Sequence, residues 1–277
     1  MNDPVIVDTS RLRGKRGVKS RPKGRPVDAD ALADVQMLLG TAPHVSGDVP
    51  LPAPELLPAA ERRRTGLPVR LAIAAGLDAL ARSPRRGETL ASVFTSSGGD
   101  GQVVHEICAT LASVERQVSP TRFHNSVHNA PAGYWTIALH AHMASTSLCG
   151  YDWSFAAGLL EAGAQCVVER AAVLLVSYDV PYPEPLHSKR PVEGVVGAAL
   201  LLVPEKTREA FAGIELNIEP RVTAPTKMEQ PGLEALRAGN PTGRALPLLR
   251  ALAAPGAKKI LLDYLSGSTL TVEVEVL

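Results

Sequence analysis

Ala144-Ser-Thr-Ser-Leu-Cys-Gly-Tyr-Asp-Trp-Ser-Phe-Ala-Ala-Gly-Leu-Leu-Glu-Ala-Gly163 is the stretch on which the fold turns. It reads as the end of one element, a tight turn and an apolar helix. Asp152 suits the helix cap and Gly163 suits the C-terminal exit. Trp153, Ala156, Ala157 and Leu160 share one helical face, but Phe155 and Leu159 are apolar too. A helix apolar nearly all round is a buried one. A small-residue turn that carries Ser147 and Cys149 into such a helix is a place where enzymes seat a nucleophile, because a helix N-terminus favours the thiolate.

Working outward, Ala171 to Val176 is an uninterrupted apolar run, the mark of a strand covered on both faces. Val195 to Val203 gives a second buried strand, and Gly213 to Glu219 a more exposed one. Leu90 to Thr95 is a third buried strand, and Tyr134 to His140 reads as another. The alternation in Thr269 to Val276, after a turn at Ser266-Gly267-Ser268, predicts a half-buried hairpin strand. Helices are expected over Thr65 to Arg82, with Thr65 as cap and Pro68 in the first turn, and over Gln102 to Val114 and Arg244 to Ala253. Cys108 then falls on the inward side of its helix as a small core residue. Apolar strands alternating with helices make the chain α/β with a mostly parallel sheet.

Composition narrows the chemistry. With 29 basic and 28 acidic residues in 277, global charge names no partner. Aromatic residues make up 4%, too few for a platform that stacks single-stranded nucleic acid, and no nucleic-acid motif is present. No apolar run reaches membrane-spanning length, and the first residues lack a signal-peptide pattern. Cys108, Cys149 and Cys166 show neither metal spacing nor a disulfide framework, which fits a cytoplasmic protein.

Three further segments carry polar groups. Residues 11 to 25 hold eight basic residues and no acid, with Arg11, Arg13, Lys15 and Arg16 at their head. They form a solvated loop or a docking patch for an acidic partner. The turn Ser96-Ser-Gly-Gly-Asp-Gly101 lacks the lysine of a phosphate-binding loop and reads as a plain tight turn. His124 and His128 stand one helical turn apart, but no acid lies between them and no third ligand is evident. Neither a metal nor another cofactor is therefore expected.

Ser96 to Gly101, Ser119-Pro-Thr-Arg-Phe-His-Asn-Ser-Val-His-Asn-Ala-Pro-Ala-Gly-Tyr-Trp135, the opening stretch and Val173-Leu-Leu-Val-Ser-Tyr-Asp-Val-Pro181 occur in that order. Together they resemble the N-terminal half of β-ketoacyl synthases, over about residues 61 to 204. Within that family they are most similar to the short chain-length-factor-like branch associated with aryl polyene and xanthomonadin-type pigments. The resemblance implies a thiolase-like layered fold with a truncated C-terminal half. It divides the chain into an N-terminal strand, basic loop and proline-rich connection (1–60), a ketoacyl-synthase-like core (61–204) and reduced C-terminal strands and helix (205–277).

The resemblance also implies a cysteine nucleophile at the turn before the buried helix. Counting forward from Asn129 favours Cys149, and counting back from Gly163 favours Ser147. It places His124, Asn125, His128, Asn129, Tyr134 and Trp135 near a dimer interface. The two histidines of the family's C-terminal half have no counterpart, since no histidine follows His187. The implied function is a partner subunit, weakly catalytic or non-catalytic, that forms a heterodimer with a complete ketosynthase and meets its acyl carrier protein. Two alternatives remain: an autonomous acyl-transfer enzyme using Cys149, or a carrier-protein-binding module that docks through Arg11, Arg13, Lys15 and Arg16.

Overall fold

The computed structural model describes residues 5–8, 54–81, 83–204 and 210–276. The basic stretch of residues 11 to 25, with Arg11, Arg13, Lys15 and Arg16, lies outside the described residues. In chain order the elements are β1 (Val5–Asp8), α1 (Ala59–Arg62), α2 (Leu67–Leu80), β2 (Ala91–Thr95), α3 (Gly101–Ala112), α4 (Pro120–Asn125) and α5 (Ala130–Leu139). There follow β3 (Ser145–Leu148), α6 (Ser154–Val168), β4 (Val173–Asp179), α7 (Leu186–Lys189), β5 (Val196–Val203) and β6 (Ala212–Pro220). The chain ends in α8 (Pro231–Gly239), α9 (Leu246–Ala253), β7 (Ala257–Tyr264) and β8 (Ser268–Val276).

Among the described residues eight strands join one sheet in the order β3-β2-β4-β5-β1-β6-β8-β7. The α/β class holds. The expectation of a mostly parallel sheet is corrected: β2 is parallel to β3 and β4, and every other pairing is antiparallel. The cause lies in the connections. Helices cross between β2, β3 and β4, whereas β8 follows β7 through a short hairpin, which permits only antiparallel pairing.

Helices cover both faces of the central strands. Along β4, Val173 and Leu175 enter a core shared with Phe155, Leu159 and Cys166 of α6 and with Leu246, Leu248 and Leu252. Leu174, Val176 and Tyr178 point the other way, into a core with Ile73 of α2 and Trp135 of α5. Each of these side chains contributes about 1.5–3 kcal/mol by leaving water. β6 and β8 bury one face in the first core, while Glu215, Glu273 and Lys259 occupy the other side. Among the described residues no helix is long and apolar enough to cross a membrane.

Several local expectations change. Tyr134 to His140 is helical, not a strand: Pro131 starts α5, and His140 ends it in the left-handed region at φ 52. Its aromatic residues face Ile73 and Phe94, so packing overrides strand propensity. Gly66 rather than Thr65 is the N-cap of α2, and the Thr65 hydroxyl instead donates to the Arg62 carbonyl at 2.8 Å. α6 runs past Gly163 to Val168, and Gly163 is kept small by Leu216 of β6, which would lie 2.8 Å from an added β-carbon. Cys108 is exposed, because α3 buries only Gly101.

Candidate functional site

The parallel strands β2, β3 and β4 end side by side, and ligand sites of α/β sheets lie beyond such carboxyl ends. Three loops meet there: 96–100 after β2, Cys149-Gly150-Tyr151 after β3, and the residues after Asp179. Asp179 is the anchor. Its Oδ1 accepts from the Ser97 N–H at 2.8 Å, the Ser97 hydroxyl at 2.7 Å and the Ser96 hydroxyl at 3.2 Å. Its Oδ2 accepts from Thr242 at 2.8 Å, which draws in the turn before α9. Burial raises the Asp179 pKa, although these hydrogen bonds oppose the shift. Burial likewise raises the pKa of neighbouring Tyr178, with the charge of Asp179 adding to it.

The glycine-rich turn is satisfied from within. The N–H groups of Gly98 and Gly99 donate to the Ser96 hydroxyl at 3.4 and 3.0 Å. The Tyr182 ring lies where β-carbons on Gly98 and Gly101 would sit, so both positions must be glycine. With its donors turned inward, this turn is a brace and not a phosphate cradle, as the missing lysine implies.

Cys149 stands exposed directly after β3, and its thiol donates to the Ser97 carbonyl at 3.2 Å. The residue that bends from strand to helix is Tyr151, at φ 55 in the left-handed region. Ser154 braces the bend, accepting from the Gly150 N–H at 3.0 Å and donating to the Tyr151 carbonyl at 2.6 Å. Asp152 lies in a 3-10 turn ahead of α6 and does not cap it. It is held instead by Arg190 at 3.1 Å and Arg244 at 3.3 Å. Ser147 sits within β3, level with Phe94 of β2.

The six residues expected at an interface divide into two groups. Asn125 is buried, donating to the Arg64 carbonyl at 2.8 Å and accepting from the Tyr134 hydroxyl at 3.0 Å. Tyr134 and Trp135 are each 1% exposed, and Trp135 meets Phe94 edge-on at 6.0 Å. These three are buried within the chain's own fold. His124 and Asn129 are exposed, and His128 is half-buried. His124 rests edge-on to Tyr134, and His128 Nε2 lies 3.0 Å from the Ser96 carbonyl, which makes it the donor nitrogen. Among the described residues no group of three metal-ligating side chains gathers.

Sequence reasoning missed Asp179, Tyr151, Arg190 and Arg244 as site residues. It also missed the exposed apolar side chains of Phe123, Val127, Ile137 and Met143, which all precede β3 in the chain. Phe123 and Val127 lie inside a segment already notable for its polar groups, so an apolar residue there was the available signal.

The model of the β-ketoacyl synthase N-terminal domain matches residues 40–254. Among curated proteins, no sequence matches the chain. Solved structures do. A ketosynthase (ApeO) in complex with its chain length factor (ApeC) from Xenorhabdus doucetiae aligns at a TM-score of 0.61 and 24% identity, covering 87% of this chain and 91% of that one. The ishigamide ketosynthase/chain length factor aligns at 0.64 and 14% identity, covering 88% and 95%. A type II polyketide ketosynthase in complex with its acyl-carrier protein (AntDE:AntF) aligns at 0.62 and 12% identity over 100% of both chains. The thiolase-like fold expected from the sequence motifs is therefore the fold observed.

Proposed function

Because the chain belongs to the β-ketoacyl synthase family, we propose that it is a partner subunit of chain-length-factor type, pairing with a complete ketosynthase. One observation carries this reading: the Cys149 thiol is hydrogen-bonded to a main-chain carbonyl, and among the described residues no imidazole is bonded to it. Condensation needs more than an attacking thiol. It needs groups that move a proton and stabilise charge as carbon dioxide leaves. Nothing bonded to Cys149 among the described residues supplies them. The complex then shapes the pocket in which a growing polyene is measured, while the partner performs the chemistry.

The two sheet edges differ in a way that favours pairing. The β7 edge carries Lys258 and Lys259, and at Leu261 it is covered by Thr226. Charged side chains and covering loops are how proteins blunt a free edge. At the other end β3, Ser145-Thr-Ser-Leu148, has no charge and no proline. The Ser92 N–H bonds to Ala144 and the Ser96 N–H to Leu148, so the even-numbered carbonyls face β2. Ser145 and Ser147 then turn their main-chain groups outward, available to a partner strand. An acyl carrier protein is the further partner, and the cysteine pattern supports the cytoplasm as the compartment. Co-expression with the cognate ketosynthase tests the reading: one joint peak is expected, and separate peaks with a fully active lone ketosynthase would overturn it.

A further inference from the structure

Asp152 sits at the bend between β3 and α6 with an arginine on each carboxylate oxygen, Arg190 on Oδ1 and Arg244 on Oδ2. The arginines come from separate parts of the chain, one just after α7 and the other from the turn before α9. Arg244 also reaches Asp263 at 3.5 Å, and Asp263 holds Arg221 at 2.9 Å. Three guanidinium groups thus share two carboxylates, which leaves one positive charge in excess. The Arg190 and Arg244 side chains are only 18% and 19% exposed. Each keeps a buried nitrogen without a hydrogen-bond acceptor, Nη2 of Arg190 and Nε of Arg244. The Arg190 guanidinium also lies 3.6 Å from the centre of the Tyr151 ring, which holds it in plane over the bend.

Buried guanidinium donors without acceptors are costly, and an oxyanion is the group that satisfies them. Asp152 takes one nitrogen of each arginine, Asp263 takes a second nitrogen of Arg244 and Tyr182 bonds Arg190, which leaves Nη2 of Arg190 and Nε of Arg244 as the unmet donors. A planar carboxylate meets a single fork, whereas a tetrahedral oxyanion offers oxygens in several directions. We propose that Arg190 and Arg244 form a phosphate-binding site beside the β3–α6 bend, in which Asp152 competes with the anion. The proposal does not depend on the partner-subunit reading.

The test is calorimetric titration of the full chain with inorganic phosphate at low ionic strength, with sodium chloride of matched ionic strength as control. One saturable site is expected. Arg190→Met and Arg244→Met each weaken it roughly tenfold, as expected for loss of a charge-assisted hydrogen bond. Arg190→Lys, which keeps the charge and loses the fork, weakens it less, and it serves where a Met variant fails to fold. Asp152→Asn gives the sharpest result. It removes the competing negative charge, so phosphate binds more tightly and raises the melting temperature of this variant more than that of the parent. Titration with methyl phosphate separates the sources: equal binding means that a phosphate ester is accepted, and binding of inorganic phosphate alone means a closed site for the free ion. Absence of saturable phosphate binding, or an Asp152→Asn variant equally destabilised with and without phosphate, overturns the proposal.

Discussion

The thiol of Cys149 donates to the main-chain carbonyl of Ser97 at 3.2 Å, tying the end of β3 to the loop after β2. The same loop is fixed from its other side by Asp179, which accepts both the N–H and the hydroxyl of Ser97. Cys149 therefore belongs to a braced junction of three strand ends. In a condensing enzyme its counterpart would be indispensable. Here Cys149→Ala is expected to cost about 0.5 kcal/mol of stability, as for an exposed side chain with one weak bond. The product yield of the assembled complex should stay within about twofold. A loss of a hundredfold or more would show that the thiol reacts.

Thiol labelling separates the three cysteines. Burial pushes the Cys166 thiol up to about 11, whereas Cys108 and Cys149 are exposed. A thiolate-directed alkylating reagent at pH 8 should modify Cys108 and Cys149 in the native protein, and Cys166 only after unfolding. Peptide mapping by mass spectrometry reads the result.

Asp179 makes stability depend on pH. Its pKa is raised by burial, so the folded chain holds the proton more tightly than the unfolded one. The resulting stabilisation is complete below about pH 4, the unfolded value, and is lost as pH rises through the folded value. Asp179→Asn removes this dependence, so its stability relative to the parent should improve between pH 4 and pH 8. Asp179→Ala instead leaves the donors of Ser96, Ser97 and Thr242 without an acceptor and should cost about 3 kcal/mol or more. Urea titrations across that pH range measure both effects.

Gly76 tests the packing of α2 on α5. A β-carbon there would lie 2.6 and 2.8 Å from the ring of Trp135, which is itself 1% exposed. Alanine gains roughly 1 kcal/mol of helix propensity, but the buried ring has little room to yield. Gly76→Ala is expected to destabilise by about 1–2 kcal/mol net, seen as a lower melting temperature.

What could be read beforehand follows from how local each signal is. The apolar run from Ala171 to Val176 needs no partner to declare itself, and it became β4, buried on both faces. The small residues Ala72, Ala75 and Gly76 of α2 allow a close approach, and Trp135 is the neighbour met at Gly76. Tyr134 to His140 misled because aromatic residues favour strands, while the helix was determined by Pro131 and by a core built from distant residues. Asp152 looked like a cap because its true partners, Arg190 and Arg244, are far along the chain. Asp179 was invisible for the same reason: Ser97 and Thr242 reach it only through the fold.

The edge strand leads to the central claim. Ser147→Pro removes an outward N–H from β3 and leaves the even-numbered carbonyls bonded to β2 in place. It should weaken pairing with a ketosynthase by tenfold or more while the variant itself remains folded by circular dichroism.

The most direct measurement is light scattering on the tagged chain co-purified with its ketosynthase, with product length analysed with and without the chain present. One-to-one heterodimers, with polyene of defined length made only by the complex, are predicted. Two separate species, with the ketosynthase alone making the same products, would contradict the account.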